Sequence, residues 1–123
     1  MKADIAKKWV AALRSGEYEQ GIEALCQEGK FCCLGVLCEL ASNEGVVSRT
    51  VINGDDAVYG IDLQRDYLPH EVQKWSGVRC SSGEYTALVD GSRYEKSLVG
   101  HNDVDNLSFD EIADIIEENA EVL

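Results

Sequence analysis

The stretch Phe31–Ala41, which reads FCCLGVLCELA, constrains this chain more than any other. Drawn as a helix, it carries apolar side chains on every side. Such a helix must be packed by neighbours all round, so the sequence predicts a central helix with the other elements wrapped about it. Gly35 inside it costs ~1 kcal/mol relative to alanine, which predicts a close backbone contact at that point. Ser42-Asn43-Glu44-Gly45 ends the helix.

The flanking segments supply the wrapping. Ile5, Trp9 and Leu13 fall at i, i+4 and i+8 with Ala6 and Val10 beside them, and Asp4 is placed to cap that helix. Gly21 interrupts the segment from Glu17 to Gly29, where Ile22, Leu25 and Cys26 have the spacing of a short helical turn. Val46–Ile52 and Ala57–Ile61 flank Asn53-Gly54-Asp55-Asp56, a hairpin signal. Leu68-Pro69 opens a short helix at its first helical position, with Val72 and Trp75 on one face and Gly77 at its close. Tyr85–Val89 and Arg93–Leu98 surround Asp90-Gly91; the second arm reads equally as a strand or as the start of a helix, because Tyr94 and Leu98 are four apart. Ser108 and Glu111 have capping-box spacing ahead of the stripe Phe109, Ile112, Ala113, Ile116 and Ala120. The pattern predicts an α+β fold: a helix-dominated single domain over residues 1–123, with four or five short helices and one or two β-hairpins. Trp9, Leu13, Leu34, Leu37, Leu40, Trp75, Ile112 and Ile116 are its predicted core.

Five cysteines stand at positions 26, 32, 33, 38 and 80. An odd count with three thiols in an apolar stretch reads as reduced and buried rather than as a disulfide framework. No run approaches the ~18–20 apolar residues of a membrane span, and the first helix carries charges unlike a signal peptide. The expectation is a cytoplasmic protein with no membrane partner. The formal net charge of −12 opposes direct nucleic-acid binding, which needs a basic face. It fits a solvated acidic surface first, and imitation of nucleic acid second.

Several segments together resemble a known family. They are Lys8–Gly21 (KWVAALRSGEYEQG), Phe31–Leu40, Tyr67-Leu68-Pro69 with Trp75, Asn102-Asp103, and Phe109–Ile116. The chain resembles a family of small uncharacterised proteins of tailed bacteriophages and prophages, and the double-cysteine CCLGVLC helix is the most specific part of that likeness. The resemblance implies a phage gene product acting in the bacterial host cytoplasm. It carries over no catalytic residue. Phage accessory genes of this size often counter host defence, an association with a class of genes rather than a property of these residues.

A thiol nucleophile would need His70 or His101 as base and Asp103 to orient it, but cysteines in an apolar helix are quietened by desolvation. Metal-ligand pairs of the C-x2-C kind are absent, the carboxylates lack calcium-loop spacing, and there is no phosphate-binding glycine motif. No cofactor and no metal are expected, and no residue is assigned as catalytic. What remains is a set of bases from position 49 onward, Arg49, Arg65, Arg79, Arg93 and Lys96, near Tyr85, Tyr94, His101 and Asn102. Arginine forks hold phosphate, while rings and an amide can hold a base or ribose. Arg93, Lys96, Tyr94, His101, Asn102 and Arg49 are therefore the candidate ligand-binding residues. The bland alternative is that these bases pair with surface acids, and that His101-Asn102-Asp103 forms a turn before a helix.

The functional expectation is a phage accessory binding protein that sequesters a cyclic or ADP-ribose-type nucleotide immune signal. One alternative is an acidic inhibitor of a basic host protein, and another is a small cysteine-dependent enzyme. Homo-oligomer formation is compatible with each.

Overall fold

A computed structural model describes all residues 1–123. In chain order the elements are α1 (Ala3–Arg14), β1 (Cys26–Gln27), β2 (Lys30–Phe31), α2 (Cys33–Asn43), β3 (Arg49–Asn53) and β4 (Asp56–Tyr59). They continue with α3 (His70–Ser76), β5 (Glu84–Val89), β6 (Ser92–Ser97), α4 (Leu98–Asp103) and α5 (Phe109–Asn119). Five helices and two small antiparallel sheets make an α+β fold. The larger sheet has the order β2-β1-β4-β3, and β5-β6 stands as a separate two-stranded ribbon.

Helix α2 is central, as its composition demands. Every residue from Cys33 to Cys38 is buried. The reason for Gly35 is direct: a Cβ there would lie 1.8 Å from the carbonyl oxygen of Leu25. The backbone before β1 thus passes in contact with the α2 backbone. On the opposite side α1 lays Ile5, Trp9 and Leu13 into the core, and the fully buried Trp9 donates its Nε1–H to the Cys33 carbonyl at 2.9 Å. Helix α5 closes the pair with Ile112, Ala113 and Ile116. One cluster of 26 buried residues joins these faces. Of the predicted core, Leu40 and Trp75 are only half-buried and pack at its margin.

Several boundaries differ from the pattern, each for a physical reason. Asp4 lies inside the first turn of α1, where a carboxylate favours the helix dipole, while Lys2 occupies the cap without a side-chain bond. Residues 17–29 form no helical turn. Glu23 has φ of 70°, and Glu28-Gly29 at φ 55° and 75° make a tight turn joining β1 to β2. Phe31 accordingly belongs to a strand, and α2 starts at Cys33. Pro69 sits at the cap of α3 rather than inside it. The arm after Asp90-Gly91 is a strand as far as Ser97 and only then a helix, so His101-Asn102-Asp103 is helical instead of a turn. The capping box of α5 forms, with Ser108 Oγ accepting from Glu111 N–H and the Glu111 carboxylate accepting from Ser108 N–H.

Candidate functional site

The β5-β6 ribbon is joined by Asp90-Gly91, both at positive φ, and pairs Glu84 with Ser97 through to Val89 with Ser92. At its base, between the ribbon and the last residues of the chain, lies an open cavity of about 580 Å³. Arg79, Glu84, Tyr85, Glu95, Lys96 and Val122 contribute to its lining. Volumes of this order suit small-molecule ligands. Charge on the lining is balanced, with Arg79 and Lys96 against Glu84 and Glu95. On a surface with 23 acids and 11 bases, balance is locally the more positive condition.

Arg79, Arg93 and Lys96 take part in none of the ion pairs of the structure. The N-terminal ammonium lies close to this end of the molecule: it donates to the Ala120 carbonyl at 2.9 Å, and its pKa is lowered by partial burial and then by the charge of Arg79. Cations that lack a carboxylate partner are available to an incoming anion without breaking a bond first.

The six candidate residues are not gathered in one place. Lys96 lines the cavity, and Arg93 and Tyr94 lie further along the same strand, exposed. Arg49 belongs to β3, where its Nε–H donates to Glu39 at 2.9 Å, and Glu39 also accepts from the Tyr59 hydroxyl at 2.8 Å. His101 and Asn102 are buried on α4 with their polar atoms occupied. The Asn102 carbonyl accepts from Gln20 Nε2 and from Cys33 N–H, and its amide donates to the Gly21 carbonyl and to Asp103. Those bonds fasten the loop before β1 to the start of α2 and to α4. His101 is held at both ring nitrogens, Nδ1 hydrogen-bonded to the Asp105 carboxylate at 2.9 Å and Nε2 to the Tyr85 hydroxyl at 2.6 Å. This chain of bonds anchors the base of β5 to α4. Arg79 was visible in the sequence as one of the five bases, but nothing in the spacing singles it out; the chain's end brings it to Lys96.

The thiols are unsuited to nucleophilic attack. Burial raises Cys32 to about 11 and holds Cys33 and Cys38 well above the ordinary value. Cys26 is raised by burial despite Arg49 nearby. Cys80, partly exposed at the cavity, is raised by desolvation and by Glu84. No group of three or more His, Cys, Asp or Glu side chains is arranged to hold a metal ion. No helix is long and apolar enough to cross a membrane.

No curated protein and no solved structure matches the chain. The family model for a domain of unknown function (DUF8296) matches residues 1–120, so the chain belongs to that family.

Proposed function

We propose that this DUF8296 protein is a binding protein that holds a small anionic nucleotide, of the cyclic or ADP-ribose type, in the cavity at the base of the β5-β6 ribbon. The observation that carries the reading is the pair Arg79 and Lys96, both on the cavity lining and both without an ion-pair partner. Lys8, Arg14, Lys30, Arg49 and Arg65 each have a carboxylate within ion-pair distance, whereas Arg79 and Lys96 stand unpaired on the same lining. Two free cations on one concave surface provide phosphate contacts, and the Ser97 hydroxyl beside them, which accepts from Gly100 N–H, keeps its own proton to donate. Sequestration needs affinity and abundance alone, which suits a cavity without an activated nucleophile. In a phage setting, such a protein would act in the host cytoplasm by removing a nucleotide signal of host immunity.

The test is thermal unfolding of the purified protein against a panel of cyclic dinucleotides, cyclic mononucleotides and ADP-ribose derivatives. A ligand at 100 times its dissociation constant adds ~2.7 kcal/mol to the folded state, a rise of several degrees for a domain of this size. A rise for one member is expected; no rise for any would remove the nucleotide reading.

A second reading has its own observation. Asp110, Asp114, Glu117, Glu118 and Glu121 are all exposed along α5 and just beyond it, with Arg14 the base that reaches them. That face suits a basic protein partner. Affinity for such a partner would fall steeply with added salt and would be lost on reversing acids of α5, changes that leave the cavity lining untouched.

A further inference from the structure

We infer that β6 is a self-complementary edge through which two copies of this chain pair, giving a four-stranded sheet β5-β6-β6-β5 about a twofold axis at Tyr94. The argument starts from the hydrogen-bond parity of the ribbon. A two-residue turn makes Val89 and Ser92 a hydrogen-bonded pair, and such pairs alternate along an antiparallel ribbon. Arg93, Glu95 and Ser97 are therefore the β6 residues whose N–H and C=O groups point away from β5. The Leu98 N–H bond to Gly83, at 3.1 Å, continues the same alternation. Arg93 and Glu95 take part in none of the turn, loop or cap hydrogen bonds of the backbone, whereas Ser97 caps α4 and its carbonyl accepts the first bond of that helix.

An edge of this kind can join a second copy only in registers that set outward residues opposite outward residues. Centred on Arg93, the two Arg93 side chains oppose each other. Centred on Glu95, the two glutamates do. Centred on Tyr94, each Arg93 stands opposite Glu95 of the second copy on one face, and the two Tyr94 rings meet on the other. In that register the pairs Arg93 with Glu95 exchange backbone bonds twice over. Tyr94 occupies the close, non-hydrogen-bonded position, where aromatic pairs interact best. Charge thus favours the register centred on Tyr94 over those centred on Arg93 and Glu95.

The other features of the ribbon agree. An isolated two-stranded hairpin is marginal in water, and three or more strands give independent stability. Leu88 is 72% exposed, Val89 44% and Tyr94 51%, so the outer half of the ribbon carries apolar surface that the chain itself leaves uncovered. By contrast β3, the exposed edge of the larger sheet, has a register shift between Val51 and Asn53. A bulge of that kind guards an edge against pairing, and β6 has none.

The test is sedimentation equilibrium of the full chain over a ~100-fold concentration range at physiological salt. Four proteins are compared: wild type, Arg93→Glu, Glu95→Arg and the double exchange R93E/E95R. Both positions are exposed, and far-ultraviolet circular dichroism verifies that each variant is folded. The expected result is a concentration-dependent dimer for wild type, a dissociation constant raised at least ~10-fold in each single variant, and recovery to within ~3-fold of wild type in the double exchange. A wild type that stays monomeric throughout the range would overturn the inference. So would a dimer that the single variants leave intact, or one that the double exchange fails to restore. No nucleotide is present, so this outcome is independent of the ligand reading.

Discussion

At the scale of single residues, the buried polar and thiol groups fix what the molecule tolerates. Asn102 satisfies Gln20, Cys33, Gly21 and Asp103 together, so Asn102→Ala would leave buried donors and an acceptor unpaired. Its expected cost is about 3 kcal/mol, read as a lowered urea midpoint. The spacing of His101-Asn102-Asp103 held no sign of this role, because Gln20-Gly21 and Cys33 are distant in sequence and only the fold brings them to one amide. The thiols give a pH dependence of definite sign. In the unfolded chain they ionise near 9, whereas burial keeps Cys32 protonated to about 11 and Cys33 and Cys38 further still. The folded state then holds more protons than the unfolded state as pH rises above about 9. Stability is therefore intact below that value and falls above it, by ~1.4 kcal/mol per pH unit for each thiol involved. Urea titrations at about pH 8 and pH 10 should show the loss; equal midpoints would mean that the thiols are not held protonated. Native alkylation should label Cys80 first and spare Cys32, Cys33 and Cys38 until unfolding.

Among the elements, α2 shows how far composition reaches. A helix apolar on all sides had to be central, and Gly35 had to meet another backbone; both follow from residues alone. What composition does not contain is the partner, the Leu25 carbonyl, which arrives by way of a loop with Glu23 and Glu28 at positive φ. Glutamate rarely adopts that conformation, so the tight turn between β1 and β2 gave no signal, and strands of two residues each are too short to show alternation. Gly35→Ala separates the two effects. Helix propensity alone would stabilise by ~1 kcal/mol, but the clash with the Leu25 carbonyl should outweigh it and destabilise by about 3 kcal/mol or more. Ser108→Ala should cost ~1 kcal/mol through the lost cap of α5. Thermal unfolding measures both, and a stabilised Gly35→Ala variant would contradict the packing described for α2.

For the whole molecule, charge and shape act together. Acids outnumber bases by 23 to 11, and three of the bases without an ion-pair partner, Arg79, Arg93 and Lys96, lie at or near the β5-β6 ribbon. The sequence named these bases and the Asp90-Gly91 turn, yet it could not tell that Arg49 would be taken by Glu39 while Arg79 would come to Lys96 through the chain's end. Proximity across more than a dozen residues leaves no mark in spacing. Pairing of two ribbons would also set Arg93 of the second copy beside Glu95, removing one of the two negative charges on the cavity lining. Arg93→Glu should then weaken nucleotide binding although Arg93 itself lies outside the cavity. Unchanged affinity in that variant would separate the cavity from the dimer. The most direct measurement is calorimetric titration of the nucleotide that raises the unfolding temperature into wild-type protein, Arg79→Glu and Lys96→Glu. Binding in the cavity predicts that each reversal lowers affinity at least ~10-fold, about 1.4 kcal/mol, with the fold intact. Equal affinities in all three proteins would contradict it.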